Sequence, residues 1–170
     1  MRIHSWIFIV GALAVMPCAS AQTLVTERSI SVEAAQEAAR TALEHCRKEG
    51  HRVTVTVLDH AARTKAILRD DGASPHSVQH SMNKAYTALT YREPSGDFGK
   101  RATGSPTGAG ALHLDKVATA AGGLPIRAGN DVVGSIGVSG SRGSPGSPGG
   151  ATDTRCAQAG IDRIAQGLGG

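Results

Sequence analysis

Aromatic side chains are scarce in this 170-residue chain: one tryptophan, two tyrosines and two phenylalanines make up 3% of it. Trp6 and Phe8 lie near the start, which leaves Tyr86, Tyr91 and Phe98 for everything after Gln22. A core without rings rests on alanine, valine, isoleucine and leucine, whose burial contributes less transfer free energy per side chain. Such a core is thin for a single domain, so association into a homo-oligomer is expected. Clustered charge is also lacking. The formal net charge of +4 is spread along the chain, without the basic face that nucleic-acid binders carry, which disfavours nucleic acid as a partner. No nucleophile elbow, phosphate loop, HExxH pair or reactive cysteine motif occurs, so no catalytic chemistry is legible. Nor does any repeat of roughly 20–50 residues.

The first residues carry the most continuous apolar run, from Trp6 to Met16, behind a short basic start with Arg2 and His4. It is shorter than the roughly 20 apolar residues that span a bilayer. Ala19-Ser20-Ala21 follows, a small-x-small pattern that a signal peptidase accepts, and predicts cleavage between Ala21 and Gln22. Residues 1–21 are therefore expected to be a signal peptide and 22–170 a single domain, periplasmic or secreted, with no stable membrane anchor after cleavage. The competing readings are a retained anchor and a lipid-modified Cys18, although Pro17 suits a lipoprotein signal poorly. Cleavage leaves Cys46 and Cys156, and an even number outside the cytoplasm makes a disulfide the first expectation. Closing a loop of about 110 residues contributes up to ~4–5 kcal/mol in the chain-entropy model. Two buried free thiols acting as small hydrophobes are the alternative.

Local patterning predicts alternating blocks. Ser31 caps a first helix with Glu33 in its first turn and Gly50 as its stop, and Val32, Ala35, Ala39, Ala42 and Cys46 form one stripe. Residues 51–59 read as a strand, with Val53, Val55 and Val57 alternating with Thr54 and Thr56, and residues 64–69 as its hairpin partner. A second helix is expected from a Ser74 cap and Pro75 to about Arg92, burying Val78, Met82, Ala85 and Leu89, with Tyr86 at the border. Residues 95–110 read as loop with at most one short helix. Strands at 124–127 and 132–138 follow, and Gly134 and Gly137 mark close backbone approach. Residues 139–150 read as flexible loop, and Asp153 as the cap of a last helix carrying Ala157, Ile161, Ile164 and Leu168. Helix, two strands, helix, loop, two strands, helix points to an α/β domain of the α+β type, an antiparallel sheet covered by helices.

Several phrases of the chain occur together in a known order: Val55-Thr56-Val57-Leu58-Asp59, Arg69-Asp70-Asp71-Gly72-Ala73, Lys84-Ala85-Tyr86-Thr87-Ala88, Gly122-Gly123-Leu124-Pro125-Ile126, and the run from Val132 to Gly140. With Asp153 and Cys156-Ala157 opening the last helix, they make residues 31–168 resemble the GlcG/HbpS family. The resemblance implies a profilin-like α/β domain that commonly oligomerises. For some members it implies haem binding outside the cytoplasm and a part in haem or iron handling, whereas others have no settled activity. The chain departs from the pattern at His60-Ala61-Ala62, where a glycine pair is commoner, so the family's usual turn geometry is not implied there.

Haem needs an apolar slot, an axial ligand on its iron and cations for its propionates, and histidine is the commonest axial choice. His76 and His80, four residues apart, share a helix face and form a possible metal pair; a solvated face explains them equally well. His113, between Leu112 and Leu114, borders apolar residues, while His45 and His60 read as ordinary surface and turn residues. Lys84, beside the expected apolar stripe, must snorkel or find a partner: a propionate, a small carboxylate, or an aspartate such as Asp59 or Asp71. Arg69, Arg92 and Arg101 are further propionate candidates. The expected function is thus an exported small-ligand-binding protein with haem as its guest. The alternatives are an enzyme or accessory acting on a small carboxylate, and an oligomeric scaffold without ligand.

Overall fold

The computed structural model describes residues 24–106, 108–143 and 149–169; the expected leader and the middle of the Gly/Ser/Pro tract lie outside them. Among the described residues, the elements run α1 (Val32–Lys48), β1 (Thr54–Asp59), β2 (Thr64–Arg69), α2 (Ser77–Tyr91), α3 (Ser95–Thr103), a 3-10 helix (Ala109–His113), β3 (Gly123–Ala128), β4 (Asp131–Ser139) and α4 (Gly149–Leu168). All strand pairs are antiparallel, in the order β2-β1-β4-β3. The α+β class and the antiparallel sheet covered by helices are as expected. No helix among the described residues is long and apolar enough to cross a membrane.

One face of the sheet is apolar. Register places Val55 opposite Val138 and Val57 opposite Ile136, with Leu124 and Ile126 continuing the same face on β3. Alanines 35, 38, 39 and 42 of α1 are fully buried against it, beside Ala157 and Ile164 of α4. Small side chains let α1 and α4 approach closely, and Cys46 is bonded to Cys156 between them across a sequence separation of 110. Ser31 caps α1 through the Ala34 amide, as its sequence demands.

The opposite face carries α2, and of the expected stripe only Ala85 is buried. Ser77, Ser81, Lys84, Ala85, Thr87 and Ala88 are the buried residues, whereas Val78, Met82 and Leu89 are only half-buried. The sheet dictates this, because β1 offers the hydroxyls of Thr54 and Thr56 and β4 offers Gly137. Ser77 and Ser81 donate to the Ser74 and Val78 carbonyls, so Thr54 donates to Ser77 at 2.7 Å and Thr56 to Ser81 at 2.8 Å. A Cβ at Gly137 would collide with the Ser81 carbonyl, and one at Gly123 with that of Lys84. The helix lies too close for large apolar side chains.

Three further expectations need correction. The second helix starts at Ser77 rather than at Pro75, because Ser74–Ser77 closes a separate turn and no side chain caps the helix. Residues 95–110 are largely ordered: α3 packs Phe98 against Tyr91, with ring centroids 3.9 Å apart, and a 3-10 helix follows. The last helix begins at Gly149, which puts Asp153 inside it rather than at its cap. At the β1–β2 turn, Ala62 takes φ 61°, held there by Asp59, whose carboxylate accepts from the amides of Ala61 and Arg63.

Candidate functional site

A cleft of about 610 Å³ opens where α2, the end of β4 and the start of α4 meet, within the range of about 300–1,000 Å³ typical of small-ligand sites. His76, His80 and Lys84 of α2 line it, together with Ser139 of β4, Asp153 of α4 and the flanking Arg52 and Arg142. Its lining carries three strong cations against one carboxylate, so it favours an acidic guest.

At its floor the Lys84 ammonium contacts Asp153 at 2.7 Å and donates to the Val138 carbonyl at 3.0 Å. Both side chains are buried, at 3% and 4% exposure. This corrects the expected pairing of Lys84 with Asp59 or Asp71. Asp59 is instead held by Arg63, with Lys65 at 4.0 Å. Asp153 also accepts from the Ser141 amide, so one carboxylate ties α2, α4 and the chain after β4 together. A buried pair of this kind gains little net stability but makes loss of one partner costly. With its ammonium so engaged, Lys84 shapes the floor; Arg142 and Arg52 are exposed at the rim, Arg52 lying 3.8 Å from Asp70.

His80 sits half-buried at the cleft wall, its Nδ1 3.2 Å from Ser139 Oγ. Burial first, and then the Lys84 charge, lower its pKa below 6.5, against a smaller upward pull from Asp153. The ring is therefore neutral at pH 7 and able to offer a nitrogen lone pair. His80 and Ala120 also border a second recess of about 350 Å³, whose walls include Leu112, Val117 and Ala118. Thr87 and Ser95 build that wall. The Thr87 hydroxyl accepts from the Ala118 amide at 2.8 Å, and the Ser95 hydroxyl donates to the Ala120 carbonyl at 2.7 Å.

The remaining sequence candidates lie elsewhere. Arg69 is exposed at the end of β2 and turns back to the Ala73 carbonyl. His113 is exposed on the 3-10 helix and lines neither space, although its neighbour Leu112 does. Arg92 ends α2 in a left-handed conformation, and Arg101 pairs with Glu93 over the Tyr91 and Phe98 rings. His45 meets Glu49, and His60 meets Glu27. As a metal pair His76 and His80 stand alone, because no cluster of three or more His, Cys, Asp or Glu forms among the described residues. Sequence reasoning missed Ser139, Arg52 and Arg142. Ser139 had no signal beyond closing the strand phrase ahead of Gly140.

Residues 30–162 match the family described as "Haem degrading protein HbpS-like". Among solved structures, a double mutant of Streptomyces reticuli HbpS aligns with a TM-score of 0.74 at 34% identity, covering 88% of this chain and 97% of that one. The PduOC:heme complex aligns with a TM-score of 0.69 at 23% identity, covering 80% and 95%, a likeness of fold alone. An uncharacterised 15.0 kDa protein from the dhaT-dhaS intergenic region of Citrobacter freundii is 32% identical over 90 residues, 52% of this chain. That match spans 63% of the relative, less than two thirds of its length. With the match running from Ile30 to Asp162, across every element of the sheet and into the last helix, the chain belongs to the HbpS-like family.

Proposed function

We propose that this is an exported haem-binding protein that holds haem at His80, between the cationic cleft and the recess of mixed polar and apolar lining. The observation that carries the reading is the position of a neutral, half-buried imidazole at the seam of those two environments. Haem is itself divided in this way, with an apolar macrocycle, acidic propionates and an iron that takes a neutral imidazole. Leu112, Val117 and Ala118 suit the ring, Arg52 and Arg142 suit the propionates, and His80 suits the iron. The family description and the haem complex solved for PduOC, a protein of the same fold, support the choice of guest. Bound haem would supply the iron chemistry; the chain's part is to bind, orient and shield it.

Export is part of the proposal. It is supported by the leader pattern of residues 1–21 and by the Cys46–Cys156 bond, which suits an oxidising compartment. A homo-oligomer is proposed with it, since edge strand β2 leaves Ile67 and Leu68 partly exposed. Titration of the Gln22–Gly170 chain with haemin tests the binding: a Soret band that saturates at a fixed stoichiometry supports it, and a free-haem spectrum throughout rejects it. A second reading, a small carboxylate as ligand, is favoured by the mainly polar lining of the cleft. It predicts that small acids raise the melting temperature of the haem-free protein and that Arg142→Ala abolishes the rise.

A further inference from the structure

We infer that the N-terminal arm of one copy of this chain docks as an added antiparallel strand on edge strand β2 of a second copy, seating Leu24 and Val25 against Leu68 and Ile67. The inference rests on the homo-oligomer reading above and names the segment that covers β2; haem has no part in it.

The argument starts from the apolar side chains that the fold leaves bare. Among the described residues the exposed large ones are Leu24, Val25, Val32, Ile67, Leu68 and Leu114. Apolar residues scattered singly on a surface are ordinary. Here four of the six form two consecutive pairs, one on the arm and one on β2. The arm pair is 81% and 82% exposed, so its own chain offers it no seat.

Strand β2 is the matching open edge. It ends the order β2-β1-β4-β3, so its outer N–H and C=O groups have no strand beside them. On the polar face α2 packs on β1, β4 and β3 rather than on β2. Leu68 pairs with Val55 and so faces the α1 side, whereas Ile67 pairs with Thr56 and faces the α2 side. Successive residues of a strand alternate between faces. An arm laid along this edge therefore sends Leu24 to one face and Val25 to the other, and covers both bare residues of β2 at once. Charge sets its direction. Antiparallel pairing, with Leu24 opposite Leu68 and Val25 opposite Ile67, brings Glu27 opposite Lys65; parallel pairing of the same residues brings it opposite Asp70.

The arm is anchored so that this pair is presented outward. Ile30 is buried and donates to the Val133 carbonyl at 3.0 Å. Arg28 lies 3.7 Å from Asp131 at the β3–β4 turn, and Glu27 lies 2.5 Å from His60 at the β1–β2 turn. Followed toward its N-terminus, the arm thus crosses the end of the sheet from β4 to the turn that opens β2. Leu24 and Val25 lie beyond these ties. Two copies related by a two-fold axis exchange arms reciprocally, which covers both β2 edges in one closed assembly.

Analytical ultracentrifugation of the Gln22–Gly170 chain, of a chain beginning at Glu27 and of Leu68→Lys tests the inference. The shortened chain keeps all three anchors, and far-UV circular dichroism checks that each variant folds. The full chain should assemble, and both changes should weaken its assembly about 100-fold or more. Mixing Leu24→Cys chains with Leu68→Cys chains under mild oxidation should then give a mixed cross-linked dimer, since Cys46 and Cys156 are already spent on each other. Assembly that survives loss of the arm but not Leu68→Lys would mean that β2 pairs with another element, and overturns the inference while the homo-oligomer reading stands. A cross-link formed only within a single chain carrying both cysteines overturns it too. A full chain that stays monomeric at every concentration removes the inference and that reading together.

Discussion

The two faces of this sheet share four strands and little else. Toward α1 and α4 the contacts are Val55, Val57, Ile136 and Val138 against a bed of alanines, clamped by Cys46–Cys156. Toward α2 they are hydroxyl on hydroxyl, a buried lysine on a buried aspartate, and backbone over glycine. The first arrangement gains free energy in proportion to the area it buries. The second is high-stakes: satisfied, it fixes one geometry, and each group left unpaired is expensive. Stability is thus concentrated on one face and the ligand site on the other, and the same strands serve both because their residues alternate.

Substitutions can break this division in graded ways. The largest effect is expected at the floor of the cleft, where Lys84→Met strands Asp153 and should cost about 3–5 kcal/mol in urea unfolding. The double variant Lys84→Met, Asp153→Leu should recover most of that loss, since it makes the polar face resemble the apolar one. A double variant no better than the single would mean that the pair is integral to the fold. On the other face, Cys46→Ala with Cys156→Ala should cost about 2–5 kcal/mol yet leave haem stoichiometry unchanged. Loss of binding in a folded variant would show that the faces are not separable.

Acid offers a smaller, two-stage contrast. The His80 pKa is depressed in the fold, so the unfolded chain binds more protons between that value and 6.5. Stability is therefore complete above pH 6.5, falls as pH drops through that window, and loses this slope in His80→Asn. Further down, two carboxylates matter. The Arg47 hydrogen bond, opposed by burial, lowers Asp70. Burial pushes Asp59 up, but hydrogen bonds from Arg63 and Ala61 outweigh it and leave it lowered as well. Their contribution is present above pH 3.8 and lost as acid titrates them through their lowered values. Smallest of all, Ala62→Gly should raise stability by about 1 kcal/mol by relieving a left-handed alanine, with no effect on either face.

The same division explains what the sequence made legible. The α1 stripe was readable because apolar periodicity and burial coincide there: Ala35, Ala39, Ala42 and Cys46 are buried, and only Val32 at the helix start is exposed. On α2 they part company, since Val78 and Met82 follow the helical period while the sheet selects Ser77, Ser81 and Lys84. A pattern that equates buried with apolar cannot find a face whose partners are threonines. Asp153 was misplaced for a related reason: Gly149 and Gly150 resemble loop, yet they open the helix. At the site, His76, His80 and Lys84 converge as their spacing on one helix allowed, whereas Arg69 and His113 sit on segments whose direction no local pattern reveals. Ser139, Arg52 and Arg142 reach the cleft only through strand order and the turns that follow, which are tertiary facts.

The central claim is that the polar face presents one particular imidazole to iron. Optical and electron paramagnetic resonance spectra of the ferric haem complexes of His80→Ala, His76→Ala and His113→Ala test it side by side. The account predicts loss of the wild-type axial-ligand signature in His80→Ala alone; a His80→Ala spectrum identical to wild type would contradict it.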